Sequence, residues 1–167
     1  MPRYTRSGAV YGLLGSLVFA LISAVSVYLL FSALKPEIMK VIASSIPPGS
    51  GLTAQQLYPA ALAVAVALVA IISLIAGTIF GAIYGYAYGG IPGSTPFRKA
   101  IVFSLILWFI VYALVDLADI REYGITYYLT NIGTGIIASL AWGAIVGTLM
   151  KRKVENEREP IEDYGGL

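Results

Sequence analysis

Few residues in this chain have types and spacing suited to chemistry. Asp116 and Asp119 stand three apart, on one helix face near the end of an apolar run. A carboxylate at membrane depth is costly, so the pair reads as a cation or proton site at the mouth of a span. The same two residues also fit a helix end held by Arg121 or by hydroxyls such as Tyr112 and Tyr123. Arg98 and Lys99 follow the glycine-rich stretch from Gly89 to Ser94 and fall in the first turn of a helix, against its dipole. Free backbone amides and two cations there could hold a lipid phosphate, although charges flanking a span need no ligand to explain them.

What remains is a matter of packing rather than reaction. Gly77, Gly81, Gly85 and Gly89 recur every fourth residue inside an apolar run, a bare stripe on a helix that invites another helix. Gly8, Gly12, Ser16, Ala20 and Ala24 form a second such stripe, and Gly135, Ser139, Gly143 and Gly147 a third. Such stripes close a bundle, join protomers or line a narrow path. Tyr84, Tyr86 and Tyr88 alternate at spacing two, so on a helix they fan over different faces. Most of the 12 tyrosines fit aromatic belts at the two membrane interfaces. Ser73, Thr78, Asn131 and Thr134 are read as interhelical hydrogen-bond partners.

Composition fixes the elements that carry these residues. The chain has 167 residues, 58% hydrophobic and 12% charged, well below the charge content of a soluble domain. Its mean hydropathy is +0.82. Several uncharged runs reach the ~20 residues needed to cross a bilayer as helix, and they are continuous rather than alternating, which excludes spanning strands. The sequence predicts an all-α integral membrane protein, an antiparallel bundle of four transmembrane helices. The spans are expected over 8–34, 58–88, 97–117 and 125–150, making a membrane domain of 1–150 with a charged tail over 151–167. The first run is too long for the ~7–15-residue core of a signal peptide and is read as a retained span. Pro36 opens a short interfacial helix over 36–46, which Pro47, Pro48 and Gly49 end. The second span is expected to begin near Thr53 or Tyr58, with Pro59 acceptable in a first turn; Lys151, Arg152 and Lys153 are expected to stop the fourth span, and the acidic remainder to be solvated and largely disordered.

Arg3, Arg6, Arg98, Lys99, Lys151, Arg152, Lys153 and Arg158 fall on one side, against Lys35, Lys40 and Arg121 on the other. Both termini are therefore expected in the cytoplasm, with the protein in the cytoplasmic membrane. Cysteine and histidine are absent, which removes thiolate chemistry, imidazole ligands and Ser-His or Cys-His pairs. No cofactor, metal or enzymatic activity is expected, and a net charge of +2 is too small to indicate a nucleic-acid partner.

The string Gly8-Ala9-Val10-Tyr11-Gly12 returns as Gly81-Ala82-Ile83-Tyr84-Gly85 and, reduced, as Gly143-Ala144-Ile145-Val146-Gly147. Gly77, Phe80 and Gly81 also align with Ser139, Trp142 and Gly143, and Tyr11 and Gly12 with Phe103 and Ser104. These matches fit two duplicated hairpins of like orientation, or the small alphabet of membrane helices.

The run from Gly81 to Gly85, then Ile91-Pro92-Gly93-Ser94-Thr95-Pro96, the basic pair and Ala100 to Trp108 resembles small four-span membrane proteins of the YagU-like kind and related uncharacterised families. In those, a glycine- and tyrosine-rich span ends in a turn of "LPG" type and a basic pair, before an aliphatic span ending in Trp. The resemblance covers about the middle third of the chain. It implies the architecture and carries no activity or site residues.

Two functions follow as expectations. The first is a non-catalytic bundle acting through helix packing and association, as a homo-oligomer or an accessory subunit of a membrane complex, with lipids and membrane proteins as partners. The alternative is a small channel or transporter for a cation, proton or small solute along a glycine-lined path, with Asp116 at the outer mouth. Lipid handling at Arg98 and Lys99 is a third class.

Overall fold

The structure is a computed structural model and describes residues 4–115, 117 and 120–157. It has five α-helices: α1 (Thr5–Ala33), α2 (Lys35–Ser45), α3 (Ala54–Ala87), α4 (Pro96–Trp108) and α5 (Ile120–Asn156). A π-helical segment, Phe109–Val115, prolongs α4. There is no strand among the described residues. Four helices are long and apolar enough to cross a membrane, so the chain is a multi-pass membrane protein with an all-α four-helix bundle.

Local sequence sets the helix ends. Thr53 caps α3 by accepting from the Gln56 amide while the Gln56 side chain accepts from the Thr53 amide, a reciprocal cap that starts the helix at Ala54. Of the two expected starts, near Thr53 or near Tyr58, the helix takes the earlier, and Pro59 therefore lies inside α3. It removes one intrahelical bond close to the helix start. Thr95 caps α4 in the same manner through the Arg98 amide, with Pro96 at the first helical position. Gly124 has φ 81° and ψ 169°, a conformation open to glycine, and it kinks the start of α5. The short helix α2 occupies Lys35–Ser45, one residue earlier than the expected 36–46.

At its other end α5 runs to Asn156, past the expected end of the fourth span at residue 150 and through the basic residues Lys151, Arg152 and Lys153. Lys151 pairs with Glu155 at 3.7 Å and Lys153 with Glu157 at 3.2 Å, both one helical turn apart. The Tyr4 hydroxyl donates to Glu157 at 3.4 Å, tying this extension back to α1. Residues 158–167 lie outside the described residues.

The helices stand in the order α3, α1, α5, α4, antiparallel at each of the three packed seams. At α1–α3 the backbones touch. A Cβ on Gly8 would overlap the Gly81 carbonyl oxygen and lie 2.9 Å from the Gly85 Cα; one on Gly12 would lie 2.6 Å from the Gly81 Cα. At α4–α5 a Cβ on Gly147 would lie 2.8 Å from the Phe97 Cα, and one on Gly143 would lie 3.0 Å from the Ser104 Cβ. The two hairpins share a register: Gly12 faces Gly81 as Ser104 faces Gly143, and Gly8 faces Gly85 as Ala100 faces Gly147. These are the pairs that the sequence alignment of the two halves equates.

The seam between the hairpins closes on one side only. Between α1 and α5, Gly15 leaves room for Trp142, whose ring would lie 3.0 Å from an added Cβ, and the Trp142 indole donates to the Gly12 carbonyl at 3.1 Å. On the other side Phe80 stands where Trp142 does, but α4 carries Leu107 in place of Gly15 and Trp108 in place of Ser16. Bulk at these two positions keeps α3 and α4 apart. They meet only near the termini, where the Tyr84 hydroxyl donates to the Pro96 carbonyl at 2.8 Å and its ring lies 5.6 Å from that of Phe103. The core gathers there, around Tyr84, Ala100, Trp142, Val146 and Met150.

Because Gly81 meets backbone on two sides, Gly81→Leu should cost about 3 kcal/mol or more. Gly89→Leu, at an exposed position where a side chain meets nothing within 4 Å, should stay within about 0.5 kcal/mol. Unfolding by sodium dodecyl sulfate in mixed micelles, followed by circular dichroism, compares them; equal losses would contradict the α1–α3 seam described.

Candidate functional site

The splayed side of the bundle holds a cleft in two parts. The inner part, about 190 Å³, lies between Phe80, Ala76 and Ser73 of α3 and Ser104, Leu107 and Trp108 of α4, over a floor of Phe19 and Ser139. The outer part, about 500 Å³, opens toward α2 and is lined by Ser26, Leu30, Phe31, Tyr127, Asn131 and Thr134. Ser23, Val69 and Tyr112 line both, so the two parts adjoin. The inner end is shut by the Tyr84, Phe103 and Trp142 rings, spaced 5.6 Å and 6.3 Å apart in sequence of contact.

Among the described lining residues the polar groups are hydroxyls, one amide and the indole N–H groups of Trp108 and Trp142, without a charged side chain. Some are spent on the helices. Ser104 donates to the Ile101 carbonyl at 2.9 Å, and Ser26 donates at 3.1 Å to Thr134, which itself donates to the Thr130 carbonyl at 2.8 Å. Others are not: among the described residues no protein group partners the hydroxyls of Ser23, Ser73 or Ser139. Ser73 and Ser139 are each 6% exposed, and their oxygens touch the cleft rather than protein. Three helices thus each direct an open hydrogen-bonding group into an otherwise apolar space.

The π-helical segment forms one wall. Its Tyr112 ring packs where Gly135 lacks a side chain, 2.7 Å from an added Cβ. The wider turn leaves carbonyls for outside donors, and Tyr128 donates to the Ala113 carbonyl at 2.9 Å. Trp108 donates to the Ile132 carbonyl at 3.2 Å, so α5 holds the wall by two side-chain bonds.

The residues singled out from sequence are dispersed. Gly8, Gly12, Gly77, Gly81 and Gly85 lie at the α1–α3 seam, Gly135, Gly143 and Gly147 at the α4–α5 seam. Gly89 belongs to neither, because α3 ends at Ala87 and the stripe runs out before it. Gly77 also borders the inner cleft and Gly135 the outer, although Ser16 packs against Gly77 and the Tyr112 ring against Gly135. The Lys99 ammonium donates to the Tyr88 carbonyl at 2.8 Å and stands 4.6 Å from the Tyr88 ring centre. Arg98 donates to Ser94 at 3.2 Å. Both cations therefore fasten the turn between α3 and α4. Asp116 and Asp119 lie outside the described residues. Among the described residues, no three His, Cys, Asp or Glu side chains come together.

The sequence marks Ser73, Asn131 and Thr134 as interhelical hydrogen-bond partners, Ser139 as part of a small-residue stripe and Tyr112 as a hydroxyl near the Asp116 helix end, and does not single out Ser23 or Ser26. A signal was present for α1: Ser16, Ser23 and Ser26 fall on one helical face. Comparison with protein-family models, with curated proteins and with solved structures gives no match.

The native chain has no cysteine, so single cysteines report cleanly. Thr134→Cys, in the outer cleft, should react with a water-soluble maleimide at least about a hundredfold faster than Val146→Cys, which is 0% exposed. Equal rates would contradict an outer cleft open to water.

Proposed function

We propose that this is a non-catalytic membrane protein that binds an uncharged small molecule in the cleft between α3 and α4, and works as a small carrier. The observation that carries this reading is the set of three open hydroxyls, Ser23, Ser73 and Ser139, directed from three helices into one cleft. A serine that serves packing alone commonly turns onto its own helix, as Ser104 does, whereas these three hydroxyls have no protein partner among the described residues and stay reachable from the cleft. A bound molecule supplies the missing partner. The absence of charge among the described lining residues favours a neutral occupant, since an ion held by them would lose its hydration without a counter-charge.

Association through the glycine stripes has less support, because those faces are occupied inside one chain. Membrane lipids remain the immediate partners of the outer apolar surface. The excess of lysine and arginine at the end bearing the termini supports cytoplasmic termini in a cytoplasmic membrane, with the cleft open to the outside. Two hairpins in one register support a parallel duplication, a plan found in carriers whose halves move against each other.

The chain has 2 tryptophans, and both line the inner cleft. In Trp108→Phe protein held in detergent, Trp142 emission should be quenched by acrylamide, an uncharged probe, several-fold more than by iodide. Ser73→Phe should abolish the difference by filling the cleft. Equal resistance to both quenchers, or a difference that survives Ser73→Phe, would overturn the reading.

A further inference from the structure

The inner part of the cleft is built in two levels. Gly77 packs against Ser16, so Ser73, one turn before Gly77, stands level with Ala20 of α1. The Trp142 contact at Gly15 and the Ser26 bond to Thr134 fix the register of α5 against α1, and that register brings Ser139 to the same level. Ser23 lies about one turn further out. Rings lie toward the termini: Trp142 is ~4.5 Å along α5 from Ser139, and Phe80 ~10 Å along α3 from Ser73. A collar of hydroxyls thus stands above an end closed by rings.

Both tryptophans of this space have their N–H groups in use. Trp142 donates to the Gly12 carbonyl at 3.1 Å and Trp108 to the Ile132 carbonyl at 3.2 Å, so each indole is held in place and offers a guest its ring surface. Ser73 and Ser139, each 6% exposed, offer hydroxyls that no protein group partners among the described residues. Size narrows the guest further. The inner part measures about 190 Å³. A cavity of ~150 Å³ holds benzene, whereas drug-sized ligands occupy ~300 Å³ or more, so the space fits one ring or two fused rings. Aromatic guests gain from ring partners beyond the burial that any apolar group would gain. Resting on the reading of the cleft as a binding site, we infer that its inner part takes a small aromatic molecule with one hydrogen-bonding group, of the size of phenol or indole. The ring lies against Phe80 and Trp142, and its hydroxyl or ring N–H meets Ser73 and Ser139.

The probe is para-fluorophenol, observed by fluorine NMR with the full chain in detergent. Its signal should broaden along a saturating curve, with Ser73→Phe protein in the same detergent giving the baseline for partition into micelles. Phenol and indole should displace it. Toluene keeps the ring without the hydroxyl and should compete about tenfold more weakly than phenol. Cyclohexanol keeps the hydroxyl without the aromatic ring and should compete several-fold more weakly. These comparisons use the native sequence and depend on no variant's fold. Ser73→Ala combined with Ser139→Ala should weaken phenol about tenfold and leave toluene within about twofold, a split that general loosening of the bundle would not produce. Toluene competing as well as phenol would overturn the hydrogen-bonding group, and cyclohexanol competing as well would overturn the aromatic ring. Unchanged phenol affinity in the paired serine variant would overturn the placement. If para-fluorophenol shows no saturation while acrylamide quenches Trp142 and Ser73→Phe blocks it, the aromatic class is wrong and the cleft remains a site for another solute. Failure of both probes would remove the binding site altogether.

Discussion

The constraint on which this structure depends is that two helices in a bilayer gain nothing by hiding apolar surface from each other. Lipid tails are as apolar as leucine, so association rests on close dispersion contacts and on weak Cα–H bonds to carbonyls. Both require backbones to approach. At the α1–α3 seam Gly8, Gly12, Gly77, Gly81 and Gly85 permit it, and an added methyl at most of these positions would strike main chain. Main chain cannot move aside as a side chain can, so this seam sets the relation of the first two spans. The α4–α5 seam is the same device in weaker form, with Ser104 and Ala100 replacing two of the glycines.

From that constraint follows the asymmetry between the hairpins. Gly15 admits the Trp142 ring and lets the indole reach the Gly12 carbonyl, locking α1 to α5. The corresponding site on α4 is occupied by Leu107 and Trp108, and there the helices part. One seam of a nearly repeated pair is closed by a tryptophan entering a glycine notch, and the other is held open by bulk. The aromatic plug of Tyr84 and Phe103, with the Lys99 tie to Tyr88, joins the open seam at one end alone. A cleft shut at the end of the termini and open at the end of α2 is the outcome, and none of the described residues lining it carries charge.

Tyrosine and serine thereby take different roles according to neighbours that lie far away in sequence. Tyr84 is fully buried and Tyr86 is 66% exposed, though only one residue lies between them. Ser104 is satisfied by its own helix, whereas Ser73 and Ser139 present their hydroxyls to the cleft. Residue type alone does not separate these cases, because hydroxyls bond locally or across a gap with similar ease.

By itself the sequence determined that this is an all-helical membrane protein, because unbroken apolar runs near twenty residues allow nothing else in hydrocarbon. It also located the helix that follows the first span, through Pro36 and Pro47, and the small-residue stripes, through their four-residue spacing. Those features are local or periodic, and periodicity is readable along one chain. It could not state which stripe meets which, where α3 begins relative to Pro59, or how far α5 outlasts the membrane, since a reciprocal cap at Thr53 and a tie from Tyr4 to Glu157 decide the latter two. Above all, it could not reveal the cleft. A cavity is the space that four helices fail to fill, and its existence rests on the size difference between Gly15 and Leu107, positions that acquire a common meaning only when Trp142 and Phe80 are seen pointing at them. Tertiary structure alone decides that, because a void belongs to no single stretch of the chain.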